Sequence, residues 1–179
     1  MSFIKRNLYL IFLIAGIVAF SLVFSPFYTI LTNLNGNEIT TYEVFMIIQL
    51  SSIVISAIVF IVMGARREMS KLLLITTIVI YFAASFALNI IQIVESQQYN
   101  LILNMAVDAL AIVFMVFALT NKKYFLAAFI IILVDSARLL LGVFGSSATS
   151  FAGLIINTLL IASIYFYDDN VYQSNEYYS

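Results

Sequence analysis

The chain contains no cysteine and no histidine. The first absence removes disulfides, thiolate nucleophiles and sulfur-ligated metals together. The second removes the usual ligands of haem and of the commoner zinc and copper sites, so no cofactor is expected. Charge is scarce as well: 9% of the 179 residues are Asp, Glu, Lys or Arg, where a soluble domain has about 25%. The net charge is −1 and no basic run exceeds two residues, which argues against nucleic acid as a partner. The six glycines do not cluster, so no phosphate-cradling loop is present. A single proline, Pro26, occurs.

What the chain has in excess is apolar surface. Hydrophobic residues make up 64%, against about 45–50% in a soluble domain. A fold of this length cannot hide so much, so a lipid bilayer is the expected solvent and first partner. A membrane-spanning helix needs about 20 mostly apolar residues. Six stretches qualify, at 7–29, 43–63, 72–94, 101–119, 124–144 and 151–167. Barrel strands would be about ten residues long with apolar and polar positions alternating, a pattern absent here. Lys5 and Arg6 before an apolar run imitate a signal peptide. That run continues from Leu8 to Ile30 with no small-residue cleavage site, and it reads as a retained first helix. Pro26 falls near its end, where it can kink or terminate the helix.

The connections at 65–71, 95–100, 120–123 and 145–150 are short, which makes sequence neighbours antiparallel pairs. The connection 30–42 is longer and turn-rich, with Asn33, Asn35, Gly36 and Asn37. Lys5, Arg6, Arg66, Arg67, Lys71, Lys122 and Lys123 all fall on one side of the spans, and the opposite connections carry no Lys or Arg. Positive residues mark the cytoplasmic side. The fold class expected is therefore an all-α integral membrane protein, a single domain over 1–179. It is a six-transmembrane-helix bundle of antiparallel hairpins, with both termini and the acidic tail 168–179 (Asp168, Asp169, Glu176) in the cytoplasm of a plasma membrane. Tyr9, Tyr42, Tyr99, Tyr124, Tyr165 and Tyr167 suit the aromatic belts. A weak repeat links Tyr42 with Arg66-Arg67 and Tyr99 with Lys122-Lys123 at similar spacing, although apolar hairpins resemble one another without common origin.

Three ionisable residues lie well inside the spans: Asp108, Asp135 and Arg138. Each costs on the order of 2.5–3.5 kcal/mol near a helix centre and needs a partner or water. At 1.5 Å per residue, Asp108 lies about 10 Å and Arg138 about 9 Å below the outer face, on adjacent helices, so an ion pair is easy. Asp135 is one turn deeper and shares a face with Arg138. Gln49, Asn89 and Asn157 fall about 8–9 Å deep by the same rise, and Asn104 lies one turn above Asp108. Five of the six spans thus place an amide or a charge in one layer of the outer half. Nothing comparable occurs in the inner half, where Ser, Thr and apolar residues dominate.

One explanation is interhelical glue, with hydrogen bonds worth about 0.6–2 kcal/mol each. The other is an outward-facing site for a small polar solute or an ion, formed by Gln49, Asn89, Asn104, Asp108, Asp135, Arg138 and Asn157. An enzyme is not expected. Two aspartates on adjacent helices suggest intramembrane aspartyl chemistry, but Arg138 beside them favours ionised carboxylates over a shared proton. No lysine lies in a span to serve a serine–lysine dyad. Two small-residue faces, Ala15-Gly16 with Ala19 and Ser52 with Ser56, suit close helix packing, either internal or onto another membrane subunit.

In number of spans, orientation, length and Ala15-x-x-x-Ala19 in the first helix, the chain resembles the substrate-binding membrane subunits of energy-coupling-factor vitamin transporters. The resemblance is one of layout, with no ligand-binding signature, and the first helix is poorer in alanine than in that family. Two function classes follow. One is a binding or transport component, whose energy would come from a partner because no soluble domain is present. The other is a non-catalytic accessory, assembly or immunity-type protein whose polar layer is structural.

Overall fold

The computed structural model describes residues 3–33, 40–97, 99, 101–143 and 148–167. Six α-helices account for nearly all of them: α1 (Phe3–Asn33), α2 (Thr41–Arg66), α3 (Lys71–Ser96), α4 (Leu101–Thr120), α5 (Phe125–Val143) and α6 (Ala148–Phe166). A 3-10 turn, Lys122–Tyr124, leads into α5, and no strand occurs among the described residues. All six helices are long and apolar enough to cross a membrane. Asn35, Gly36 and Asn37 of the longer connection, and the acidic tail, lie outside the described residues.

Local chemistry sets several helix ends. The Thr40 hydroxyl accepts from the Glu43 amide at 3.3 Å while the Glu43 carboxylate accepts from the Thr40 amide at 2.8 Å, a capping box that starts α2 two residues before Glu43. Ser70 caps α3 in the simpler way, accepting from the Leu73 amide. Arg67 and Gln97 end α2 and α3 in the left-handed region, with φ of 55° and 54°, and their amides donate to Met63 and Ile93 carbonyls. Pro26 does not end α1, which continues seven residues further to Asn33. At 1.5 Å per residue α1 is about 46 Å long, well beyond a hydrocarbon core of about 30 Å.

Each helix packs on its neighbour in sequence, and α1 closes the bundle against α6. α6 touches all five others and has the largest buried share, whereas α5 has the smallest. The tightest pair is α1 with α2. A Cβ on Gly64 would stand 2.6 Å from the Leu13 amide nitrogen and 2.7 Å from the Tyr9 carbonyl oxygen, so only glycine allows this approach. Gly16 meets Ala57 and Ile61 of α2, and Ala19 is fully buried. Ser56 is buried and bonded back to the Ser52 carbonyl at 2.7 Å. Both small-residue faces are thus turned inward. Phe12, Phe60, Phe82, Ile78, Met115, Ile156 and Leu160 fill the centre. The exposed faces of α4 and α5 carry Leu103, Leu110, Phe117, Leu126, Leu133 and Leu141, a surface suited to lipid.

The Arg66–Lys71 connection, the Lys122–Tyr124 turn and the last turn of α6 share one end of the bundle. The Lys122 ammonium donates to the Ile164 and Tyr165 carbonyls there. It thereby satisfies acceptors that the end of α6 leaves open, and it meets the negative pole of the helix dipole.

Candidate functional site

The polar layer lies toward the other end. Four helices supply it because their rise brings the polar positions to a common level. Asn89 of α3, Asp108 of α4, Asp135 and Arg138 of α5, and Asn157 of α6 form one connected group. The Asn89 amide donates to Asp108 Oδ2 at 2.9 Å. Arg138 Nη2 is in direct contact with Asp135 Oδ1 and stands 3.5 Å from Asp108 Oδ1. The Asn157 amide donates to Asp135 Oδ2 at 2.8 Å and to Ser136 Oγ at 3.2 Å. Arg138 Nη2 also donates to Ser85 Oγ at 3.4 Å.

Burial divides the group. The Asp108 and Asp135 side chains are 0% and 1% exposed, whereas Arg138 keeps 29%. The arginine stands at the rim, with both acids beneath it. Its tally is also uneven, at two acids and one base. Asp108 Oδ1 and Asp135 Oδ1 have no hydrogen bond, but both face the guanidinium. Asn157 Oδ1 is buried with no hydrogen-bond partner among the described residues. Such an acceptor in a low-dielectric interior costs stability unless a donor reaches it.

Over the rim is a small cavity of about 30 Å³, lined by Gln49, Ser52, Tyr81, Ser85, Arg138 and Thr149 among others. That is the volume of about one water molecule, an order of magnitude below the roughly 300–1,000 Å³ of drug-sized ligand pockets. Gln49 meets the site here, through the cavity lining it shares with Arg138, and is half-buried. Asp135 and Asn157 are not among the cavity's lining residues; they lie against Arg138 and each other. Asn104 is half-buried on α4 and takes no part in the hydrogen-bonded group. A larger groove of about 460 Å³ opens at the basic end between α1 and α2, lined by Asn7, Tyr9, Leu13 and Arg67 among others.

Four further residues belong to the site. Ser85 and Ser136 add hydroxyls to Arg138 and Asn157. Tyr81 is buried and donates to the Gly153 carbonyl at 3.4 Å, and a Cβ on Gly153 would come within 2.9 Å of that hydroxyl. Gly153 stands one turn before Asn157, so its lack of a side chain leaves room for the Tyr81 ring beside the cavity. Hydroxyls are common in apolar helices and carry no signal of their own. A periodic signal did exist in the spacing of Tyr81, Ser85 and Asn89, which recur every four residues along one face of α3. Among the described residues, no group of three or more acidic side chains is placed to hold a metal ion.

No family model matches the chain, and no curated protein or solved structure matches it.

Proposed function

We propose that this chain is a multi-pass plasma-membrane protein with both ends in the cytoplasm. In this reading it binds or transports a small polar solute or an ion at the polar layer, which then lies in the outer half of the bilayer. The basic residues gathered at the far end support the orientation. One observation carries the functional reading. Two buried acids and one arginine are clustered where a membrane interior makes each costly, and the arginine faces a water-sized cavity. The cavity volume favours an ion over a vitamin-sized solute. The role is non-enzymatic: the two carboxylates bond to Asn89 and Asn157 and flank Arg138, and they are not hydrogen-bonded to each other as the shared-proton dyad of an aspartyl mechanism requires.

The test is a thermal-shift panel of ions and small polar solutes on detergent-purified protein, wild type against Gln49→Leu and Asn157→Leu. A stabiliser that acts on the wild type and loses its effect in both folded variants is expected. If every solute acts equally on all three, the site is excluded.

One observation favours a second reading, that of an accessory or assembly protein with a structural layer. Asp108, Asp135 and Asn157 are sealed by side-chain contacts from α3, α5 and α6. In that case co-purification in mild detergent recovers a membrane subunit, and the solute panel is flat.

A further inference from the structure

The charge tally of the layer leaves a residue that the ion pairs do not remove. Asp108 and Asp135 bring two negative charges and Arg138 one positive, so one negative charge is unmatched in a nearly water-free interior. Every helix packed on α4 has to be considered as a source of the balancing charge. From α3, Asp108 faces Tyr81, Ser85 and Asn89; from α5, Asp135 and Arg138; the neutral Asn157 of α6 bonds to Asp135. The Lys122–Tyr124 turn also packs on α4, but Lys122 is engaged with the far end of α6. Among the described residues, no second cation is within the cluster.

We propose that the cluster holds one exchangeable proton, carried on Asp108 and reached through the cavity lined by Ser85 and Arg138. The inference rests on reading the layer as a ligand site, and it names the ligand. Three features select a proton over a metal or alkali ion. Hard cations take several oxygen ligands at once, whereas one oxygen of each acid here already accepts from an asparagine and the other faces Arg138. The cavity borders Arg138 and Ser85, not the carboxylates, and has room for about one water. The position of Arg138, in contact with Asp135 and 3.5 Å from Asp108, leaves Asp108 the less compensated acid.

The amide partners suit both states. Asn89 donates to an ionised Asp108 as it stands. Rotated by half a turn, the same side chain offers its oxygen to a protonated one, since amide O and N are nearly the same size. Loading brings one proton from solvent by way of the cavity water and the Ser85 hydroxyl, which takes a proton from that water as it gives its own to a carboxylate oxygen of Asp108, and solvent restores the water. Release reverses it.

Infrared spectroscopy of the protein in lipid nanodiscs at mildly alkaline pH tests this. Carboxyl groups in water are then ionised, and a protonated carboxyl C=O band reports only a sequestered acid. The tally predicts the band area directly. Wild type carries one protonated carboxyl, Asp108→Asn and Asp135→Asn carry none because each leaves a one-to-one pair, and Arg138→Gln carries two. The wild-type band should fade as pH is raised further and ignore exchange of sodium for potassium or choline.

An Asp108→Asn band of wild-type size overturns the proposal. So does a wild type with no band, or one whose band responds to sodium or potassium at fixed pH. Should one variant fail to fold, the other aspartate variant and the wild-type pH series still decide. A failed band pattern leaves the solute panel standing as the separate test of the site itself.

Discussion

Replacing Arg138 by glutamine is the perturbation that asks most of the site. It removes the one positive charge above two acids that are 0% and 1% exposed. Breaking a buried ion pair costs about 3–5 kcal/mol. The acids have an escape, since each can take a proton. For a carboxylate with an ordinary pKa near 3.9, that costs about 1.4 kcal/mol per pH unit, hence about 4 kcal/mol at pH 7 and about 1.5 kcal/mol at pH 5 for the additional proton. The sign follows from proton counting. The folded variant binds more protons than the unfolded chain, so its deficit shrinks as pH falls toward 4 and grows as pH rises.

Asp108→Asn behaves differently, because it leaves Arg138 matched with Asp135 and keeps an amide beside Asn89. It also spares the fold the proton that wild-type Asp108 carries, so it should not destabilise, and its gain over the wild type should grow as pH rises. Reversible unfolding in mixed micelles at pH 5 and pH 7 measures both variants. The reasoning is refuted if Asp108→Asn costs as much as Arg138→Gln, or if the Arg138→Gln deficit ignores pH.

Other predictions concern the frame around the site. Gly64→Ala drives a methyl into the α1 backbone at 2.6 Å, and overpacking of this kind costs about 1–3 kcal/mol, read as a lower melting temperature; an unchanged value would contradict the close approach. Gln97→Gly relieves a left-handed cap with φ of 54° and should stabilise by about 0.5–1 kcal/mol in the same assay. Cysteine introduced at Asn35 should be labelled by an impermeant thiol reagent in intact cells and cysteine at Ser70 should not, with no background in a cysteine-free chain; the reverse pattern inverts the orientation.

Run length alone made the helices legible, because about 20 apolar residues have few other uses. Depth was legible too. A fixed rise per residue placed Asn89, Asp108, Asp135, Arg138 and Asn157 at similar levels, and the structure connects them. Azimuth was less so. A helix apolar on every side does not declare which face meets its neighbours, so Gln49 was counted with the layer although it meets Arg138 only through the cavity lining. Asn104 shares the face of Asp108 but lies one turn nearer the helix end and stays out of the group. The expected Asp108–Arg138 pair is present at 3.5 Å, and Asp135, on the arginine's own face, is closer still. Of the two outcomes expected at Pro26, ending the helix is not the one taken, since α1 runs on to Asn33. Lys122 was read only as a marker of sidedness, and its role in holding the end of α6 depends on contacts across more than 40 residues of chain.

The central place of α6 has a consequence for how the molecule is made. Chains emerge amino-terminus first, so the helix against which all others rest is the last of the six to leave the ribosome. Until then α1 to α5 enclose a gap where Ile156, Leu160 and Ile164 will sit. Asp108, Asp135 and Arg138 are made before Asn157 exists to cover them. Their mutual contact across one hairpin leaves most of the charge of α4 and α5 already cancelled while α6 is still to come. A chain stopped before residue 148 therefore lacks the one helix that α1 and α5 both pack on, while the contacts of Asp108 and Asp135 with Arg138 are already in its sequence.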